Sequence, residues 1–231
     1  MKGLTTAVAV VLAAGANSCV PNDSSIHILN AFPLSPTATG GVCTASTIAI
    51  YSGSLDISGT LRYLLQFQME STFAQISTVG TTDVIQGPQR NDFIADAILF
   101  SYSATPPVAG LANEVVPIFF EIPAGAGTGT FLQMYLTTAT TQQALRASVG
   151  VGQTVNLNVT LQVRGALRSG QKLSSNKVTY PIQVFNSGFS GLCAAGDVRI
   201  PSGPCGAPGG QDGSIVGCCR DFTPRPAGCP P

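Results

Sequence analysis

The chain has 231 residues, of which only 10% are charged, and its 11 Lys plus Arg balance its 11 Asp plus Glu. No basic cluster is present to meet nucleic-acid phosphates, so DNA and RNA are excluded as partners at this level. The length suffices for one sizeable all-β core or two small ones, and abundant Thr, Ser, Gly, Val and Pro without sustained helical periodicity favour short strands joined by turns.

Lys2 is followed by an uncharged run from Gly3 to Ala16 with the apolar centre AVAVVLAA at Ala7 to Ala14. This run is too short for a permanent span, and its positive start, apolar middle and small-residue end are those of a secretory signal peptide, expected over 1–18. Ala16 and Ser18 supply small side chains for cleavage, and the next residue is Cys19. A cysteine at that junction resembles the lipid-modified first residue of a bacterial lipoprotein. The alternative is a simply secreted chain in which Cys19 forms a disulfide. Cysteine parity favours the first, because Cys19, Cys43, Cys193, Cys205, Cys218, Cys219 and Cys229 make an odd set. Acylation of Cys19 leaves six thiols for disulfides and gives the chain a membrane partner through the lipid anchor. Residues 19–25 then form a tether, and the location is extracytoplasmic, at the outer membrane or cell surface, or else secreted.

Ile26, Ile28 and Leu29 begin a first strand that runs towards Phe32 and stops at Pro33 and Pro36. A loop carrying Cys43 precedes a strand expected over Ser46 to Tyr51, and the SGSLDISG segment after it reads as turns. Leu61, Tyr63, Leu65, Phe67 and Met69 alternate with polar residues, Leu64 excepted, which gives a strand from Leu61 to Glu70. Further strands are expected at Phe73 to Val79, Asp96 to Tyr102, Glu114 to Ile122 and Phe131 to Leu136. Pro117 marks Glu114 to Ile122 as an edge or a bulge. The one short helix falls at Thr140 to Ala147, with Thr140 and Gln143 spaced as a capping box.

The clearest stretch is Thr154 to Phe185. Val155, Leu157, Val159, Leu161 and Val163 alternate with polar residues, and Val178, Tyr180, Ile182 and Val184 do so again. With Ser169-Gly170 as a two-residue turn, Leu161 faces Val178, Val159 faces Tyr180, Leu157 faces Ile182 and Val155 faces Val184. A one-residue slip would lose every apolar pair. The fold class is therefore all-β, an antiparallel β-sandwich of about ten strands over 26–187, with a small disulfide-rich C-terminal lobe.

From 188 to 231 Gly, Pro and Cys dominate, and covalent bridges replace a core. Five of the disulfide candidates, Cys193, Cys205, Cys218, Cys219 and Cys229, lie here, so one must reach back to Cys43. Cys218 and Cys219 take different partners, because a bond between neighbours strains the peptide.

No catalytic constellation emerges. His27 is the only histidine, stands in a strand, and has no Gly-x-Ser-x-Gly elbow beside it. The cysteine spacings are long for zinc, and Asp197, Asp212 and Asp221 read as turn residues rather than calcium ligands. Gly125, Gly127 and Gly129 lack the helix start and Lys-Ser/Thr of a phosphate loop. Asn22-Asp-Ser and Asn158-Val-Thr match a glycosylation pattern that matters only in a eukaryotic source. Glu70, Glu114 and Glu121 are the carboxylates a hydrolase would pair. No metal, cofactor or catalytic residue is assigned.

Three blocks, Ser52 to Glu70, Gly165 to Val184 and GQDGSIVGCC at Gly210 to Cys219, resemble exported lipoproteins of unknown function from myxobacteria and related soil bacteria. The resemblance implies a cell-envelope location and supplies no activity. The reading is a non-enzymatic structural or binding protein of the envelope with an unidentified protein or glycan partner, contacted through loops such as Pro33 to Val42 and Ala104 to Asn113. The alternatives are a carboxylate-based hydrolase acting on envelope or extracellular polysaccharide and a subunit of an extracellular assembly paired through strand edges.

Overall fold

The computed structural model describes residues 24–36, 43–74, 90–126, 129–190, 192–198, 210–212, 216–221, 223–224 and 229. The leader over 1–18, Cys19, Asn22 and most of the tether lie outside them, as do Gly127 and most of the strand expected at Phe73 to Val79. The described chain forms eleven strands and one α-helix: β1 Ile26–Phe32, β2 Leu34–Pro36, β3 Cys43–Ala45, β4 Gly53–Asp56, β5 Leu64–Ser71, β6 Phe93–Thr105, β7 Glu114–Ile122, β8 Thr130–Tyr135, α1 Ala139–Ser148, β9 Thr154–Leu167, β10 Lys172–Ser174 and β11 Val178–Phe185.

The all-β class holds. One sheet runs β1-β5-β8 and a larger one runs β4-β11-β9-β6-β7 with β10 beside β9; β2 and β3 form a separate pair. Alternation sends Leu65, Phe67 and Met69 of β5 and Leu157, Val159 and Leu161 of β9 into one shared core. Fully burying each such side chain contributes about 1.5–3 kcal/mol.

The β9–β11 register pairs Leu161 with Val178, Val159 with Tyr180, Leu157 with Ile182 and Val155 with Val184, as the alternation requires. The turn differs from the two-residue form. Gly170 N–H bonds Leu167 O and Leu167 N–H bonds Gln171 O, closing a three-residue loop in which Gly170 takes φ +93°. Next to the turn, Lys172 therefore faces Ala166 and Ser174 faces Arg164, one step out of the outer register. Residues 175–177 supply an extra residue, a bulge that restores the step before Val178.

Other expectations are corrected. The sheets are not wholly antiparallel: β4 pairs parallel with β11, Gly53 to Asp56 against Ile182 to Phe185, where turns were expected. A free sheet edge overrides the weak strand preference of that Gly- and Ser-containing segment. Ser46 to Tyr51 is not a strand; it contributes an isolated bridge from Ile50 to Ala31, and pairing falls instead on Cys43–Ala45. The helix begins earlier than expected because Thr138, not Thr140, is its cap and accepts from Thr141 N–H. β7 is an edge strand of its sheet, and the register shift of β6 between Ala95 and Ala97 lies opposite Pro117.

In the tail Cys193 is bonded to Cys218 and Cys219 to Cys229, so the adjacent cysteines do take different partners. The Cys43 side chain and Cys205 lie outside the described residues.

Candidate functional site

One feature of the described body holds a group from inside the chain, and another is open to a group from outside. The first is closed by the tail. β1 stops pairing with β5 at Phe32 and Gln66, two residues before Leu64. The amide side chain of Gln211 takes the vacant place: Leu64 N–H donates to Gln211 Oε1 at 2.9 Å, and Gln211 Nε2 donates to Leu64 O at 2.8 Å. Its neighbours continue the contact along β4. Asp56 N–H bonds Gly210 O at 2.8 Å, Asp212 N–H bonds Ser54 O at 2.8 Å, and Ser54 N–H bonds Asp212 Oδ1 at 2.9 Å. The tail thus spans the ends of both sheets, and Gln211 is only 6% exposed.

Tyr63 completes this clasp. Its hydroxyl donates to the Asp212 carboxylate at 2.7 and 2.8 Å, and the Tyr180 hydroxyl lies 3.2 Å from it. Because the single Tyr63 proton is committed to Asp212, Tyr180 is the donor of the second bond. Burial first, then the Asp212 charge, push the Tyr63 hydroxyl far above the ordinary phenol range; burial also pushes Tyr180 up to about 12. Gly53 makes room for the pair, since a Cβ there would fall 1.7 Å from Tyr63 Oη.

The second feature is the outward face of the large sheet. Its registers place Leu99 beside Val115 and Gln162; Ser101 beside Thr160, which faces Thr179; Ser103 beside Asn158, which faces Pro181; and Thr105 beside Asn156, which faces Gln183. Those four ranks extend about 20 Å along the strands and hold no charged side chain. At one end is an open depression of about 370 Å³ with Leu99 and Val115 among its apolar lining, Ser101, Asn113, Thr160 and Gln162 as neutral polar groups, and Glu114 as an acidic one. The Gln162 Nε2 group is fixed on Ser175 O at 2.8 Å, and Thr160 and Thr179 hydroxyls bond each other at 2.8 Å. Lys177 stands at the same depression and makes no ion pair among the described residues. Beyond it the face turns charged, with Arg164 to Asp96 at 3.1 Å and Arg168 to Glu121 at 2.7 Å and Asp92 at 3.5 Å.

The structure does not bring the three expected carboxylates together. Glu70 lies opposite His27 in the β1–β5 ladder, Glu114 accepts from the Thr138 hydroxyl at the start of α1, and Glu121 is held by Arg168. Glu114 and Glu121 are about 23 Å apart along β7 by strand rise. Asp197 accepts from Val198 and Arg220 N–H groups and Asp221 from Cys218 N–H, as turn residues do. Asp212 instead belongs to the clasp. Among the described residues no group of three or more His, Cys, Asp or Glu side chains could hold a metal ion. Asn158 sits in the neutral ranks. Of the suggested contact loops, Leu34 to Pro36 and Ala104 to Thr105 are strand, and 37–42 lie outside the described residues.

No protein-family model, curated protein or solved structure matches the chain. The bridges are compatible with an extracytoplasmic location. Among the described residues no helix is long and apolar enough to cross a membrane, which leaves strand-built spans aside.

Proposed function

We propose that the chain is an exported cell-envelope lipoprotein whose β-rich body is a non-enzymatic binding module, similar to the exported lipoproteins its three sequence blocks resemble. In this reading residues 1–18 are removed, acylated Cys19 and the short tether hold the body at the outer membrane or cell surface, and the stapled tail keeps the body rigid outside the cell. The observation that carries the reading is the broad outward face, whose four ranks are uncharged and end at a depression that also holds Glu114 and Lys177, an array of mostly neutral hydrogen-bonding groups on a sheet. The separation of Glu70, Glu114 and Glu121 gives the hydrolase alternative no paired site to work with.

Intact mass of the protein from its native host, before and after reduction, tests this. The expected species starts at Cys19, is heavier by acyl chains and gains six hydrogens on reduction, two for each bridge among the six remaining cysteines. An unacylated species, or one with reduced cysteines in the cytoplasm, would overturn the envelope reading. A second reading, a subunit of an extracellular assembly, is favoured by β7: an edge strand on which Phe119 is 83% exposed and Val115 57%. Crosslinking in intact cells separates a homotypic β7 contact from a monomer.

A further inference from the structure

We infer that the depression at Leu99, Val115 and Gln162 binds a pyranose unit of a polysaccharide, with the rest of the chain laid along the neutral ranks of β6, β9 and β11. This rests on the binding-module reading and gives it a ligand class.

A sugar ring presents a C–H face and a rim of hydroxyls that both donate and accept. The depression matches both parts. Leu99 and Val115 are adjacent across the β6–β7 ladder and form an apolar patch that leaves water when a C–H face covers it. Around the patch stand hydroxyl and amide groups able to donate and accept: Ser101, Thr160 and Asn113. Gln162 is held in place beside them. Its nitrogen is anchored on Ser175 O, so its oxygen is presented at a fixed place as an acceptor for a sugar hydroxyl. A volume of about 370 Å³ lies at the small end of the range for ligand pockets, which suits one ring and not an extended cofactor.

The ligand is also a chain by the geometry beyond the pocket. Ser101, Ser103 and Thr105 repeat along β6 beside Thr160, Asn158 and Asn156 of β9, so the same neutral chemistry recurs every second residue for about 13 Å. A polymer with hydroxyls at regular intervals can use all of these ranks; a peptide would leave its side-chain charges and apolar groups unmatched there. Lys177 and Glu114 also line the depression; Lys177 can meet either a hydroxyl or a carboxylate of the ring and Glu114 can accept from a ring hydroxyl, so neutral hexoses and uronates share this chemistry.

Calorimetric titration of the full chain, oxidised and detergent-extracted, with hexamers of a β-linked glucan, a mannan and a polyuronate tests the inference. Binding of at least one hexamer is expected. Val115→Asp should weaken it more than tenfold and Gln162→Ala at least fivefold, while Gln133→Ala on the opposite sheet leaves it unchanged. Lys177→Met separates the two sources: loss confined to the polyuronate identifies an acidic glycan, and an unchanged affinity for glucan or mannan a neutral one. Thermal unfolding of each variant checks the fold, and Val115 is exposed enough for its replacement to be tolerated. No binding of any hexamer at millimolar concentration, or equal binding by wild type, Val115→Asp and Gln162→Ala, would overturn the site. Failure here with an acylated Cys19 species leaves the envelope reading standing; an unacylated cytoplasmic chain that binds glycan does the reverse.

Discussion

The hydroxyl of Tyr63 donates to the carboxylate of Asp212, 149 positions further along the chain, and through it the tail is joined to the buried Tyr180. Tyr63→Phe removes the donor to Asp212 and the acceptor for Tyr180 together. The expected loss is about 1–3 kcal/mol, the range for leaving a buried polar group unpaired. Urea unfolding at neutral pH measures it, and a midpoint unchanged from wild type would show that the contact contributes nothing.

The same pair sets an alkaline limit. A tyrosine is neutral when protonated, and the folded state holds these protons more tightly than the unfolded chain, whose tyrosines ionise near 10. The contribution is complete below about pH 10 and falls as pH rises, Tyr180 being spent near 12 and Tyr63 persisting higher. Each withheld proton lowers stability by at most about 1.4 kcal/mol per pH unit in this window. Unfolding midpoints at pH 8, 10 and 11 should fall progressively in wild type and less steeply in the Tyr63→Phe, Tyr180→Phe double variant. Parallel slopes would contradict the assignment.

Gln211 holds both backbone groups of Leu64. Replacing it with Ala leaves Leu64 N–H and O buried without their partners, at an expected cost of about 2–4 kcal/mol. Amide exchange at Leu64 should accelerate by at least tenfold in Gln211→Ala; unchanged exchange would mean that water or another group replaces the side chain without loss.

Local pattern and tertiary context divided the legible part of this fold from the rest. The β9–β11 register was readable because period-2 alternation on both strands allows one apolar pairing, and it survived a wrong turn: the extra residue of the Arg168–Gly170 loop is cancelled by the bulge at 175–177. β4 was not readable, because Gly53 and Ser54 have no strand preference and pair only because the edge of β11 is open. Gln211 reads as loop, since nothing in GQDG announces that β1 will diverge and leave Leu64 a vacant position. The face with the depression was hidden differently. Each Thr, Asn or Ser along β6 and β9 is an ordinary outward residue, and only the register assembles them into ranks.

The bulge carries a second role that alternation could not reveal. Asn176 lies in it and pairs with β1: Ile28 N–H donates to Asn176 Oδ1 at 2.6 Å, Asn176 Nδ2 donates to Ile28 O at 3.0 Å, and Asn176 N–H bonds Ile26 O at 3.2 Å. This closes the free edge of the small sheet against the large one. Asn176→Ala should cost about 2–3 kcal/mol, with Ile28 amide exchange accelerated. Asn176→Asp keeps the acceptor but sets a carboxylate against Ile28 O, so it should not rescue. Wild-type stability in Asn176→Asp would show that only the N–H of Ile28 needs a partner.

The disulfides bear on the clasp because Cys218 and Cys219 lie a few residues beyond Asp212. Cys193–Cys218 closes 25 residues and Cys219–Cys229 closes 10. Loop-closure entropy assigns them at most about 3.5 and 2.7 kcal/mol, so removing the first pair as Cys193→Ser, Cys218→Ser should cost more than removing the second. The sharper expectation concerns place. Mild reduction under native conditions relaxes the tail, whose sequence is dominated by Gly, Pro and Cys, and should expose Leu64 N–H to exchange. The amides of Val159 and Leu161, paired inside the large sheet, should stay protected. If Leu64 remains as protected as Leu161 after reduction, the Gln211 and Asp212 hydrogen bonds hold the clasp without covalent help. If both lose protection together, the bridges stabilise the whole body, and tail and body unfold as one unit.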